Sequence, residues 1–216
     1  MDTRTLLHWV ATHEPDKKDS AFAELSADDS HYPALLQSLI QAEDASMTFW
    51  ALELLVKHFP LLLQRDAKLA IPLLLPCLLR GNGLVCDRAA WALSIIGKPA
   101  VEALLAAIAA APDASAAANY IGAIRGNYST YTLAKQVVNS LANQLDSPNA
   151  DVRYWALVVL MDIGPLRPRF DERMDKSDFE PLYGQLLTVA YDLAPHQQYE
   201  FALRYIELLE KQLDSY

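Results

Sequence analysis

At 216 residues, 52% of them apolar and 21% charged, the chain has the composition of a folded domain rather than a disordered one. Its 27 acidic against 18 basic residues give a formal charge of −9, which repels phosphate backbones, moves nucleic acid down the order of partners and favours a basic protein or peptide. The longest apolar stretches, such as Ile71 to Leu79, contain Pro72 and Pro76 and fall short of the ~20 residues a membrane span requires.

From the N-terminus, a helix is expected over Thr3 to Thr12, then a polar stretch from Glu14 to Asp19 and a short segment around Phe22 and Leu25. Residues 1–30 read as an N-terminal helical cap, and residues 31–216 as one repeat array. The start, Met1-Asp2-Thr3-Arg4, lacks the pattern of a secretory leader, so Cys77 and Cys86 are expected to be reduced core thiols in a cytoplasmic protein.

The array announces itself through two matching phrases. Val85-Cys86-Asp87-Arg88-Ala89-Ala90-Trp91-Ala92-Leu93-Ser94-Ile95-Ile96-Gly97 is echoed by Val152-Arg153-Tyr154-Trp155-Ala156-Leu157-Val158-Val159-Leu160-Met161-Asp162-Ile163-Gly164, with valine, alanine, leucine, isoleucine and glycine at the same offsets. Anchoring on the alanine places equivalents at Ala51, Ala89, Ala117, Ala156 and Ala202, each followed four residues later by Leu55, Leu93, Ile121, Leu160 or Ile206. These mark five second helices. Five first helices lie upstream, over 33–39, 72–78, 102–108, 135–141 and 181–187, and three of them carry a proline (Pro33, Pro72, Pro181) of the kind tolerated in a first turn. Turn signals separate the units at Gly81-Asn82-Gly83, Gly97-Lys98-Pro99, Gly126-Asn127, Asp146-Ser147-Pro148-Asn149 and Gly164-Pro165.

These phrases resemble the HEAT-repeat family, in its HEAT-like, PBS-lyase-type form, where a Val-Pro-x-Leu-Leu helix precedes a Val-Arg-x-x-Ala-x-x-x-Leu-x-x-Ile-Gly helix. The resemblance spans roughly residues 31–211 and implies an all-α, right-handed alpha-alpha superhelix of about five helix pairs. It weakens in the third unit, where Asp113 replaces the leading valine and Gly126 comes one residue late, and in the two end units.

With about 100° of rotation per residue, Val85, Ala89, Ala92, Leu93 and Ile96 share one face of their helix, Leu84, Asp87, Trp91 and Ser94 turn away, and Arg88 lies on a flank. The resemblance implies that the outward positions of second helices line the concave side of the array. Phe49, Trp50, Asp87, Arg88, Trp91, Asn119, Tyr154, Trp155 and Arg204 are therefore the candidate partner-binding residues, because tryptophan, tyrosine and arginine most often carry interface energy. Trp50 and Trp155 also stand where they can pack against the neighbouring unit. The spacing between anchors grows before Ala202, which marks a charged insertion with Arg167, Arg169, Phe170 and Arg173 as further candidates.

Catalytic signatures are lacking. His8, His13, His31, His58 and His196 have no metal-ligand spacing with the cysteines, His58 falls on an expected core-facing position, and no phosphate-cradling glycine loop or nucleophile elbow occurs. No cofactor and no metal site are expected. The leading expectation is a non-enzymatic scaffold or adaptor, immunity- or chaperone-like, that holds a basic protein or peptide in a concave groove. The alternative is a HEAT-like DNA glycosylase acting on alkylated bases, for which Asp87, Trp91, Arg153, Tyr154 and Trp155 would supply the site. Against it stands the scarcity of cations on the predicted inner face, chiefly Arg88, Arg153 and Arg204.

Overall fold

The computed structural model describes residues 1–41, 44–127, 130, 133–164 and 179–213. Among these residues there are thirteen α-helices and no strand: α1 (Thr3–Ala11), α2 (Lys18–Ala27), α3 (Tyr32–Gln41), α4 (Ala45–His58), α5 (Pro60–Arg65), α6 (Ala67–Leu74), α7 (Gly83–Ile96), α8 (Lys98–Ala109), α9 (Ala114–Ile124), α10 (Ala134–Ala142), α11 (Ala150–Ile163), α12 (Tyr183–Leu193) and α13 (Glu200–Leu213). The all-α class and all five expected helix pairs are present. The anchor alanines and the residues four positions on are all buried. The chain divides into two units, Met1–Ala103 and Leu104–Tyr216, the division falling inside α8.

In the first unit, α1 and α2 pack together and bury Leu6, Leu7, Val10 and Leu25, α1 packing also on α3 and α4. The second helices α4 and α7 lie side by side. Each starts on a side-chain cap: an oxygen of Asp44 accepts from the Ser46 N–H, and one of Asn82 from the Val85 N–H, filling acceptor positions that the first helical turn lacks. α7 buries Val85, Ala89, Ala92, Leu93 and Ile96, the face read from its periodicity. The Tyr32 hydroxyl donates to the Leu62 carbonyl at 3.1 Å, and burial beside Asp66 pushes its pKa up to about 12.

Two expectations need correction here, and one element is added. Pro72 is not in a first turn, because α6 starts at Ala67 and places it well inside. Pro72 withholds the amide donor that the Lys68 carbonyl would meet in a regular helix, at a place where both residues are exposed; the chain then tightens into a 3-10 turn over Leu75–Leu79. The short α5 was not anticipated, since its six residues are too few for a period to show. His58 is exposed rather than core-facing, because α4 ends there and Phe59 turns into the core in its place; the His58 ring meets Phe22 edge-on at 5.5 Å. Cys77 is buried and Cys86 half-buried, both are free thiols, and burial pushes the pKa of each up, which makes them poor nucleophiles.

In the second unit α9 packs on α11, α10 on α11, and α11 on both α12 and α13. Asp113 and Asn149 start α9 and α11 by accepting from the Ala116 and Val152 N–H groups. The repeated terminal glycine has different reasons in its two copies. Gly97 has φ +82°, a conformation that favours glycine, whereas Gly164 has ordinary dihedrals but a β-carbon on it would stand 2.7 Å from the Phe179 ring. No helix among the described residues is long and apolar enough to cross a membrane.

Candidate functional site

Two helical spacings assemble a cluster on the first unit. On α4, Phe49, Glu53 and Lys57 follow one another at four-residue steps; on α7, Leu84, Arg88 and Trp91 follow at steps of four and three, so each set shares a helix face. With α4 and α7 packed together, the faces meet. The Arg88 Nε donates to a Glu53 oxygen at 2.5 Å, and its guanidinium lies over the Phe49 ring at 5.4 Å and the Trp91 ring at 5.3 Å. Lys57 pairs with the other Glu53 oxygen.

Glu53 is 6% exposed, which by itself raises its pKa; the hydrogen bonds from Lys57 and Arg88 outweigh burial and hold the carboxyl below its usual range. The anionic Glu53 in turn fixes Arg88 and, through it, the two rings. Trp91 is 42% exposed and Leu84 62% exposed on the same helix. A large indole on the surface, held in place by a cation beneath it, is the arrangement that a partner can bury at small entropic cost. Asp87 is exposed beside it.

Trp50 faces another set of neighbours. Phe22, His13 and Phe49 meet its ring edge-on at 6.1, 6.0 and 5.4 Å, and Lys18 lies over it at 5.3 Å. It is half-buried against the N-terminal helices and fastens them to α4.

In the second unit the candidates separate. Tyr154 is 7% exposed, its ring 4.8 Å from Tyr199 and 5.3 Å from Trp155, and burial raises its pKa. The expectation that it faces a partner is corrected: Tyr199, just ahead of α13, arrives over it, and the Tyr199 hydroxyl donates to Asp151 to close that side. Trp155 is half-buried, with Gly122 of α9 against its indole face. Asn119 and Arg204 are exposed. Arg167, Arg169, Phe170 and Arg173 lie outside the described residues.

Arg125 was missed by the sequence reading. It stands at the end of α9, its Nε donates to Asp162 at 3.1 Å, and its guanidinium lies over the Phe201 ring at 4.6 Å. The signal that could have found it is spacing: Glu53 and Arg88 are 35 residues apart and Arg125 and Asp162 are 37 apart, about one repeat, so opposite charges one repeat apart on outward positions mark neighbours. Arg153 has a structural part instead, donating to the Ser147 and Pro148 carbonyls and to Asp192. That removes one of the few cations available for a DNA backbone. Among the described residues no group of three or more His, Cys, Asp or Glu side chains could hold a metal ion.

No protein-family model matches the chain, and no curated protein does. Among solved structures it is similar to a designed armadillo repeat protein in complex with the peptide (KR)4, at 15% sequence identity and a TM-score of 0.44, over 98% of this chain and 99% of that one. At that score the likeness carries nothing further, and the helical fold rests on the elements described above.

Proposed function

We propose that the chain is a non-catalytic binding scaffold that holds a protein or peptide segment against α4 and α7 of its first unit. The observation that supports this is the exposed Trp91, ordered by Arg88 and Glu53 and flanked by Phe49 and Leu84. An aromatic anchor with an apolar neighbour and a polar surround has the anatomy of an interface centre. The formal charge of −9 favours a partner of net positive charge in the encounter, as an immunity- or chaperone-like role would require.

The test is selection of binders from a random peptide library on the immobilised full chain, followed by titration of a selected peptide against wild type and Trp91→Ala. Binding should weaken by about 2 kcal/mol or more, with an unchanged melting curve. Equal binding by Trp91→Ala would remove this surface from consideration.

A further inference from the structure

Among the described residues, three arginines are held by two or more hydrogen bonds. Arg80 donates through its terminal nitrogens to the Thr48 hydroxyl and the Leu39 carbonyl, Arg65 reaches Asp66 through Nε and a terminal nitrogen, and Arg153 directs both terminal nitrogens at carbonyls and a carboxylate. In each, at least one terminal nitrogen is already engaged.

Arg88 and Arg125 differ in the same way in the two units. Each is anchored to a carboxylate through Nε alone, Arg88 to Glu53 and Arg125 to Asp162; the Arg88 guanidinium lies over two aromatic rings and that of Arg125 over one. Among the described residues, the terminal nitrogens of neither have a hydrogen-bond partner. The side chains are 29% and 32% exposed, so those nitrogens stand at the surface on a plane that is already fixed. A guanidinium edge of this kind is a planar fork of donors matched to two acceptor oxygens. Holding it by Nε and by ring contacts removes rotamer freedom before a ligand arrives, which is what makes a long, flexible side chain an effective contact.

We infer that Arg88 is a docking point for a carboxylate on an aspartate or glutamate side chain of the bound peptide, with Trp91 and Leu84 receiving an adjacent apolar side chain; this rests on the scaffold reading above. Arg125 offers the same contact on the second unit.

A carboxylate suits the site better than a phosphate. Lys57, the neighbouring cation, already pairs with Glu53, so one fork faces one ligand, and Asp87 and Glu53 oppose a doubly charged group. A side chain suits it better than a peptide C-terminus, because terminal carboxylates are captured by backbone N–H nests and the backbone here is engaged within α7. The carboxylate is a local contact, compatible with a partner whose net charge is positive.

The experiment displays random peptides as N-terminal fusions, which have no free C-terminal carboxylate, and selects them on wild type. Selected sequences should carry an acidic residue at a fixed distance from an apolar one. A synthetic peptide from the selection is then titrated against wild type, Arg88→Gln and Arg88→Lys, in its acidic form and with that residue changed to its amide. Wild type should lose about tenfold or more on the acid-to-amide change, and Arg88→Gln should lose little further. Arg88→Lys keeps the charge opposite Glu53 but not the fork, and supplies the cycle if the glutamine variant fails to fold. If binding depends on Trp91 while the acid-to-amide loss is equal in wild type and both Arg88 variants, the carboxylate contact is overturned and the scaffold reading survives. If binding is indifferent to Trp91, the scaffold reading falls and takes this inference with it. Arg88-dependent displacement of the peptide by a short DNA duplex at physiological salt overturns the inference in favour of a phosphate ligand.

Discussion

The indole of Trp155 lies across Gly122, so closely that a β-carbon on the glycine would stand 3.3 Å from the ring. This contact joins α9 to α11, and it gives a residue at a predicted binding position a structural task. Gly122→Val should lower stability by about 1–3 kcal/mol, since the ring must shift in a filled space. Gly184, within the first turn of α12, has nothing within 4 Å of the same position, so Gly184→Ala should raise stability by up to about 1 kcal/mol through helix propensity. Urea titration of both variants checks the opposite signs.

The helix pairs were legible because a buried alanine with an apolar residue four positions on is a demand of close helix packing, and it survives even in the degenerate fifth unit at Ala202 and Ile206. The candidate cluster was legible in part. Phe49, Arg88 and Trp91 stand at outward or flanking angles on their helices, and the structure brings them together. Angle alone could not separate Trp91 from Tyr154, because burial of Tyr154 depends on Tyr199, 45 residues later, arriving over it. Nor could it show that Arg153 is fully engaged and Arg125 is not, which depends on the carbonyls and carboxylates that surround each guanidinium.

Glu53 gives the first unit a pH dependence of known sign. Its folded carboxyl is held below its usual range by Lys57 and Arg88 against the opposing effect of burial. The unfolded chain therefore takes up this proton first as pH falls. The contribution is complete above the ordinary glutamate range and is lost as pH drops through the lowered folded value. Glu53→Gln should cost about 1–2 kcal/mol near neutral pH, the worth of charged hydrogen bonds to a group whose cationic partners are partly exposed. The difference between variant and wild type should shrink below about pH 4. Denaturation midpoints measured at both pH values test this, and a difference that persists unchanged in acid would show that the carboxylate is not the stabilising form.

The third unit offers a case in which the repeat pattern and the structure make opposite predictions. Asp44, Asn82 and Asn149 each stand seven residues ahead of their anchor alanines, Ala51, Ala89 and Ala156, but Asp113 stands only four ahead of Ala117. It occupies the place of Val85 and Val152, so the repeat pattern alone favours valine there. The structure shows instead that α9 starts one turn late and that Asp113 has become its cap, accepting from the Ala116 N–H at 2.8 Å. Valine cannot accept that bond. Asp113→Val should therefore destabilise by about 1 kcal/mol, while Asp113→Asn, which keeps a side-chain acceptor, should change stability by only a few tenths of that order. A lower urea midpoint with unchanged slope for the valine variant is the expected result; a higher one would mean that the third helix can regain its missing turn and bury the valine as its neighbours do.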